Sequence, residues 1–293
     1  MGSCHICPRA CGADREGGAH GFCGVSSTVR IARAALHMGE EPVISGTRGS
    51  GTIFFSGCNL RCLYCQNMEV SHSAKGREIT VRELGERMLA LQQQGAHNIN
   101  LVTPTHYAPQ IIEALQRVRS RLYVPVIYNC SGYESLDTID ALKGLIDVYM
   151  PDLKYHSSAL SAEYSGAADY FTVARAAILH MQKQVGKPEM TKNGLMSRGV
   201  LVRHLVLPGC RKDSIEIMKQ LSLMFSPDDF LLSLMSQYTP DFVSKDCPHE
   251  NLRRRITSLE YESVVNEMQK YGFCGFIQQR TSASAAFTPE FEG

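Results

Sequence analysis

The sequence lacks the long apolar runs and the one-signed charge that mark several classes of protein. It has no stretch of about eighteen or more apolar residues and no apolar segment before a small-residue cleavage site near its N-terminus, so we predict neither a membrane span nor export. The formal net charge is +1, and the one dense basic run is Arg253–Arg255, which predicts neither nucleic acid nor membrane as a partner. We therefore expect a cytoplasmic globular protein.

Cysteine, in contrast, is abundant, with eleven residues. In a chain without an export signal, this number favours metal ligands over disulfides. Cys58, Cys62 and Cys65 follow an apolar segment with the spacing C-x3-C-x2-C. Three thiolates leave one iron of a cubic [4Fe-4S] cluster without a protein ligand, whereas structural zinc usually takes four. The pattern therefore favours an iron-sulfur cluster with one open iron.

This spacing, with Tyr64 just before the last cysteine, resembles the radical S-adenosylmethionine (SAM) superfamily. In that family the open iron chelates the amino and carboxylate groups of SAM, and an electron from the cluster cleaves SAM to methionine and a 5'-deoxyadenosyl radical. The resemblance implies that Cys58, Cys62 and Cys65 are the catalytic cluster ligands. It also places Tyr64 and Asn67 in the SAM site, with the Tyr64 backbone at the adenine.

Short apolar runs alternate with helix-period segments from about residue 52 onward, which is typical of βα units around a parallel sheet. The near-continuous apolar content of these runs indicates strands that are buried on both faces. The predicted strands are 52–56, 98–102, 124–129, 147–152, 199–207 and 230–235. The resemblance implies an α/β fold, an open six-unit (β/α)6 partial TIM barrel over residues 46–280, with its chemistry at the carboxyl ends of the strands.

Two capping boxes mark helix starts. Thr80 and Glu83 form one, and Thr257 and Glu260 form the other. Glycines at 95 and 272 predict where these two helices end. At the end of the chain, residues 281–293 are rich in serine and alanine, and we expect a flexible tail.

A second cysteine cluster occupies the first two dozen residues. Cys4, Cys7, Cys11 and Cys23 have the spacing C-x2-C-x3-C-x11-C in a glycine-rich segment with almost no apolar residues. Such a segment cannot pack a core, so a metal is needed to order it. We predict a metal-binding lobe over residues 1–45, and both zinc and an auxiliary iron-sulfur cluster satisfy four thiolates.

Polar residues at the strand ends supply the predicted SAM contacts. The Gly-Gly-Glu stretch common in the superfamily is replaced by Thr103-Pro104-Thr105, and we expect both threonines to receive the ammonium group of SAM. The sixth strand is followed by Gln237, a candidate for adenosine or substrate contact.

The pieces Asn129-Cys130-Ser131-Gly132-Tyr133, Asp152-Leu153-Lys154 and Leu207-Pro208-Gly209 resemble the pyruvate formate-lyase activating enzyme-like branch. That resemblance implies that Asn129 and Ser131 lie in the cofactor site. It also implies that Asp152 and Lys154 face the SAM end of the barrel, where a carboxylate can bind ribose hydroxyls and an ammonium can pair with the SAM carboxylate.

Arg203 and His204 are polar residues in an otherwise apolar strand. Only one of the pair can face the interior because side chains alternate along a strand, and we assign His204 to the cofactor site. His106, Cys130 and Cys210 also lie near strand ends, and a catalytic role for each is left open.

The sequence thus predicts an enzyme that cleaves SAM reductively and abstracts hydrogen from a substrate, with an activase-like reaction on a glycyl radical enzyme as one candidate. A protein glycine, a peptide and a small metabolite are the candidate substrates, and flavodoxin or ferredoxin is the expected electron donor. The rival hypothesis is a non-catalytic iron-sulfur electron carrier or metal-binding adaptor. That protein would need neither six βα units nor polar strand ends.

Overall fold

Ten strands form one mostly parallel sheet in the computed structural model, which describes residues 3–73, 75–278 and 291. The sheet order is β10-β9-β8-β6-β5-β4-β2-β1-β3, with β7 paired to β8. The strands are β1 (Val29–His37), β2 (Ser50–Phe55), β3 (Arg77–Ile79), β4 (Ile99–Val102), β5 (Val126–Cys130), β6 (Val148–Pro151), β7 (Glu189–Met190), β8 (Met196–Leu205), β9 (Leu231–Met235) and β10 (Gly275–Ile277).

Helices connect the parallel strands, and their apolar sides pack on the sheet. The helices of the described residues are α1 (Pro42–Ser45), α2 (Met68–Ser71), α3 (Val81–Gln93), α4 (Ala108–Val118), α5 (Leu136–Ala141), α6 (Ser158–Ser165), α7 (Tyr170–Val185), α8 (Arg211–Met224) and α9 (Ser258–Lys270). In α4, Ile111, Leu115 and Val118 are buried as the helical spacing predicts.

The six predicted strands correspond to β2, β4, β5, β6, β8 and β9, and every end agrees within three residues. These strands run parallel, and β10 adds a further parallel strand beside β9. The prediction of an α/β fold with a parallel sheet is confirmed. Closure into a six-unit partial barrel stays a prediction.

The predicted lobe boundary at residue 45 does not coincide with a break in the structure. Strand β1 pairs antiparallel with both β2 and β3. Helix α1 places Ile44, which is fully buried, against Ile127, Val148 and Met150 of the sheet. Strand β1 and helix α1 therefore pair or pack with the sheet, and the extent of the metal-binding lobe stays a prediction.

Most of the predicted flexible tail lies outside the described residues. Its one described residue, Phe291, packs edge-on against Phe54 with ring centroids 5.5 Å apart. Within the described part of the chain, no helix has the length and apolar character needed to cross a membrane.

Both predicted capping boxes form, and the one at Thr80 offers a test of helix stability. The Thr80 side chain accepts a hydrogen bond from the Glu83 backbone N–H, and the Glu83 carboxylate accepts one from the Thr80 backbone N–H. We expect Thr80→Ala to lower the free energy of unfolding by about 1 kcal/mol, because it leaves one N–H at the start of α3 without its partner. Urea denaturation measures the change. Thr80→Ser retains the hydroxyl, and an equal loss in that variant would contradict the capping explanation.

Candidate active site

A cavity of about 220 Å3 lies at the carboxyl ends of the parallel strands. Every parallel strand from β2 to β9 contributes a residue at or just beyond its end. These residues are Phe54, Val102, Thr103, Asn129, Cys130, Ser131, Asp152, Lys154, Arg203, Leu205, Met235 and Gln237. This is the edge at which parallel α/β sheets carry their chemistry.

The three cysteines of the loop after β2 line one side of this cavity. Each sulfur accepts a hydrogen bond: Cys58 Sγ from the Leu60 N–H at 3.4 Å, Cys62 Sγ from Ser165 Oγ at 3.0 Å, and Cys65 Sγ from Ser71 Oγ at 3.2 Å. Hydrogen bonds to sulfur stabilise cluster thiolates and tune their reduction potential.

Burial affects the protonation of two of these thiols. Burial and the neighbouring Cys62 raise the pKa of the Cys58 thiol to about 12. Burial and Cys62 also raise the pKa of Cys65, against an opposing hydrogen bond from Ser71. Such thiols keep their protons at neutral pH unless a metal displaces them. Three thiols that share a cavity and a set of sulfur-directed donors therefore fit a [4Fe-4S] cluster.

A network of buried charges also lines the cavity. Asp152 accepts from Lys154 Nζ at 2.5 Å and from Arg203 Nε at 3.1 Å. Arg203 also reaches Glu40 Oε2 at 3.4 Å and donates to Asn129 Oδ1 at 2.7 Å. These five side chains line the cavity, so its polar end presents two cations and two carboxylates.

Burial and pairing act in opposite directions on the two carboxylates. Burial favours the neutral form of Asp152, but the charges of Lys154 and Arg203 outweigh it and lower the pKa. Burial raises the pKa of Glu40 to about 7 although Arg203 opposes the shift. Asp152 is therefore a fixed anion near neutral pH, whereas Glu40 can hold or release a proton there.

Eight of the ten predicted SAM contacts line the cavity with the three thiols: Tyr64, Asn67, Thr103, Asn129, Ser131, Asp152, Lys154 and Gln237. Thr103 has a φ of +59°, which is rare for a β-branched residue. Its backbone N–H donates to Asn129 O at 2.9 Å. Strained backbone of this kind concentrates at functional sites. Contact of these residues with SAM stays a prediction.

The structure places the other two predicted contacts, Thr105 and His204, away from the cavity. His204 is 1% exposed and lies on the helical face of β8, where Leu153 O and Ser214 Oγ are its partners at 2.7 and 2.8 Å. Strand alternation therefore points the neighbouring Arg203 into the cavity instead. Thr105 is also buried and donates to Glu134 Oε1 at 2.6 Å, behind the strand end.

Sequence reasoning missed Glu40. It lies between β1 and α1, a region assigned to the metal-binding lobe, and no local motif marks it. Only the pairing of β1 with β2 carries this carboxylate to the cavity, where Asn100 Nδ2 donates to it at 3.0 Å.

A catalytic role was left open for three residues, and the structure places them differently: Cys130, His106 and Cys210. Cys130 lines the cavity, and burial raises the pKa of its thiol well above the usual range. His106 lies outside the lining and has Nε2 2.7 Å from Ser56 O, and burial lowers its pKa to about 3, so the ring is neutral. Cys210 lines a different surface hollow, with His156 and Asp213.

The four N-terminal cysteines lie close to one another. A Cβ at Gly21 would lie 3.1 Å from Cys11 Sγ and 3.6 Å from Cys23 Sγ, and the Cys4 thiol hydrogen-bonds with Cys11. Among the described residues, however, no three His, Cys, Asp or Glu side chains converge as the ligands of a single ion do. A metal at this site stays a prediction.

Glu134 is a buried carboxyl group that the sequence did not single out. It accepts from Thr105 Oγ1 and from Tyr128 OH at 3.2 Å. Burial raises its pKa to about 8, against the opposing effect of these hydrogen bonds. Glu134 is therefore mostly neutral at pH 7.

We expect Glu134→Gln to change how stability depends on pH. In the unfolded chain this carboxyl ionises near pH 4.5, so its contribution to stability is complete below that pH and is lost as pH rises through about 8. The variant lacks this loss. Its free energy of unfolding relative to wild type should therefore rise between pH 5 and pH 8, by at most about 1.4 kcal/mol per pH unit. Urea denaturation at pH 5, 6, 7 and 8 measures the difference, with Glu113→Gln on the exposed side of α4 as control. A difference that is constant across these pH values would contradict the buried, neutral carboxyl.

The sequence profile of the Radical SAM superfamily matches residues 52–220, more than half of the chain. The chain belongs to the radical SAM superfamily. The matched region includes all three cysteines of the cavity loop as well as Asp152, Lys154 and Arg203. Members of this superfamily are enzymes, and membership implies a [4Fe-4S] cluster, SAM and a source of electrons.

Individual relatives locate the chain within the superfamily only coarsely. It is 26% identical over 284 residues to the uncharacterized protein MJ0674 of Methanocaldococcus jannaschii, a match that covers 92% of this chain and 75% of that protein. It is also 46% identical over 37 residues to the pyruvate formate-lyase-activating enzyme of Clostridium pasteurianum, which covers 13% of this chain and 16% of the enzyme. The second match gives only weak support for the activating-enzyme branch.

A solved structure of a radical SAM protein shares the fold. Streptococcus suis SuiB bound to its precursor peptide SuiA superposes with a TM-score of 0.50 at 12% identity, over 77% of this chain and 48% of SuiB. The chain thus spans about half the length of SuiB. At this identity the likeness concerns the fold alone.

Proposed function

We propose that this protein binds a [4Fe-4S] cluster through Cys58, Cys62 and Cys65 and uses it to cleave SAM reductively. When bound, the cluster supplies the electron that splits SAM into methionine and a 5'-deoxyadenosyl radical, which then takes a hydrogen atom from a substrate. The observation that carries the proposal is the shared cavity, in which the three thiols and the paired charges of Asp152 and Lys154 line the same 220 Å3 space.

The residues of the chain would position SAM in this space and exclude water from it. Lys154 Nζ, fixed by Asp152 at 2.5 Å, offers a cation to the SAM carboxylate. Thr103, Asn129 and Gln237 offer polar groups at the ends of β4, β5 and β9. The aromatic ring of Tyr64 is held by its hydroxyl contact with Tyr155 OH at 2.6 Å, which keeps the cysteine loop against the sheet.

Anaerobic reconstitution tests the proposal. Protein loaded with iron and sulfide is mixed with SAM and dithionite, and 5'-deoxyadenosine is followed by mass spectrometry. We expect deoxyadenosine only when cluster, SAM and reductant are all present. Protein with an intact cluster that yields none, with or without a cell extract as a source of substrate, would favour the electron carrier or adaptor.

For the hydrogen donor, we propose a glycine in a partner protein, as in an activase-like reaction, because the local match to the activating enzyme favours it. Cells grown on α-deuterated glycine supply a protein fraction and, after ultrafiltration, a small-molecule fraction. Deuterium in 5'-deoxyadenosine from the protein fraction is the expected result. Deuterium from the small-molecule fraction alone would indicate a metabolite, and its absence from both would overturn the glycine proposal.

A further inference from the structure

The cysteine-rich segment at the N-terminus packs directly on the loop that carries Cys58, Cys62 and Cys65. The Cys58 N–H donates to Cys23 O at 3.2 Å, so a residue of one cysteine set holds the backbone of the other. Gly57 has a φ of +87°, and a Cβ there would lie 2.6 Å from Cys23 O. The two segments approach each other so closely that only glycine fits between them.

Arg9, between Cys7 and Cys11, reaches further into the same loop. Its Nε donates to Asn59 O at 2.8 Å, and Asn59 follows Cys58 directly. Its Nη2 donates to Ser165 O at 2.8 Å, and its Nη1 donates to Gly166 O. Because Ser165 Oγ in turn donates to Cys62 Sγ at 3.0 Å, one guanidinium supports two parts of the cluster site.

The segment that makes these contacts is built from turns, and its buried Arg15 donates to Val25 O, His106 O and Ser26 O. Residues 3–24 form no helix or strand, and of the four thiols only Cys23 is buried, at 7% exposure. In a segment of this kind, the free energy of metal binding is free energy of folding.

We propose that a thiophilic metal centre bound by Cys4, Cys7, Cys11 and Cys23 folds this segment and thereby holds the loop from Cys58 to Cys65 in its cluster-binding shape. Four thiolates suit a zinc ion or an iron-sulfur cluster. The inference rests on the proposed function only for the identity of the cluster that the loop binds. Thermodynamic linkage makes this coupling reciprocal, but the N-terminal site has four thiolates of its own, so we expect it to stay occupied without the loop's cluster.

Metal analysis of two sets of variants tests this coupling. Zinc, iron and sulfide are measured per chain after reconstitution, and iron retention is followed under a chelator. In Cys4→Ser/Cys11→Ser we expect loss of the N-terminal metal and iron retention at the loop lowered by about tenfold or more, as for lost supports of metal ligands. In Cys58→Ala/Cys62→Ala/Cys65→Ala we expect the N-terminal metal to remain. Cys274→Ser, an exposed thiol outside both sets, is the control.

Arg9→Ala tests the proposal with all seven thiols present. It removes the hydrogen bonds to Asn59, Ser165 and Gly166 but no metal ligand. We expect the N-terminal metal content to stay as in wild type, while iron at the loop is lost to the chelator about 10- to 100-fold faster and the electron paramagnetic resonance signal of the reduced cluster broadens. Arg82→Ala, on the exposed side of α3, is the matched control. Arg9→Ala also tests the proposal if Cys4→Ser/Cys11→Ser fails to fold.

The metal content per chain identifies the N-terminal centre. About one zinc per chain beside about four irons identifies zinc at the N-terminal site, and about eight irons identify a second cluster; both support the proposal. It is overturned if the segment binds no metal, or if the loop retains iron equally well in Cys4→Ser/Cys11→Ser, Arg9→Ala and wild type. None of these readouts depends on deoxyadenosine, so the inference and the proposed function can fail independently.

Discussion

Replacing Cys62 by alanine is expected to reduce 5'-deoxyadenosine formation to the level of buffer without enzyme. Cys62 is the middle residue of the three, is 8% exposed, and accepts a hydrogen bond from Ser165. Its loss leaves two of the three thiolates of the loop, too few to fix a cubic cluster with a single open iron. The electron that cleaves SAM then has no bound source at the site.

The measurement compares reconstituted variant and wild type for iron content, the absorbance of the cluster and deoxyadenosine in the presence of dithionite. Cys247→Ala is the matched control, because Cys247 has a similar exposure of 6% but does not line the cavity. It should keep both cluster and product. Deoxyadenosine at the wild-type rate from Cys62→Ala would refute the assignment of this loop as the catalytic cluster site.

The parts of the fold that sequence reasoning recovered are those with local causes. The strand ends were placed within three residues because uninterrupted apolar runs have to be buried on both faces of a parallel sheet. Thr80 and Thr257 marked helix starts because a capping box is complete within four residues. The cysteine loop can likewise be recognised from sequence, because all three thiols lie within eight residues.

The parts that sequence reasoning could not recover depend on contacts between distant segments. Glu40 reaches Arg203 across 163 residues of sequence, through the pairing of β1 with β2. The choice between Arg203 and His204 depends on which face of β8 meets α8, and the Ser214 hydroxyl that satisfies His204 comes from that helix. Neither the Glu40–Arg203 contact nor the His204–Ser214 contact produces a periodic pattern in the sequence.

The position of the N-terminal segment also could not be predicted from the sequence. Its four cysteines predicted a lobe with its own metal, and the spacing alone gave no sign of where that lobe attaches. The structure ties it to the cysteine loop through Cys23 and Arg9. Its contacts with the segment between β5 and α5, such as Ser135 Oγ to Ile6 O at 2.9 Å, span more than a hundred residues.

Arg203→Met is expected to lower the free energy of unfolding by about 3–5 kcal/mol, the range found when one member of a buried ion pair is removed. The guanidinium contacts Asp152, Glu40 and Asn129, and its side chain is 17% exposed. Without it, Glu40 keeps the hydrogen bond from Asn100, and Asp152 keeps the ion pair with Lys154. Methionine fills much of the volume, so the loss reports charge more than packing. Urea denaturation at pH 7 measures it.

Two further variants separate this charge effect from a general loss of packing. Removing Arg203 raises the pKa of Glu40 further, so this group is an uncompensated carboxylate mainly toward pH 8. Glu40→Gln added to Arg203→Met removes that charge, and we expect it to restore a large part of the stability lost at pH 8. Arg198→Met, on the same strand but nearer the surface, should cost far less. If the double variant is as unstable as Arg203→Met, the buried carboxylate of Glu40 is not what the arginine compensates.

The loss of unfolding free energy in Arg203→Met should also depend on pH. The pKa values of Glu40 and Asp152 determine whether this loss grows or shrinks as pH rises. Removing the cation raises the pKa values of Glu40 and Asp152 in the folded state, because burial then acts with less opposition. The folded variant then binds more protons than the folded wild type between pH 5 and pH 8, so its stability falls more steeply as pH rises. The deficit is therefore expected to be smaller at pH 5 than at pH 8. A deficit that shrinks toward pH 8 would mean that Arg203 supports the cavity through its packing and not through its charge.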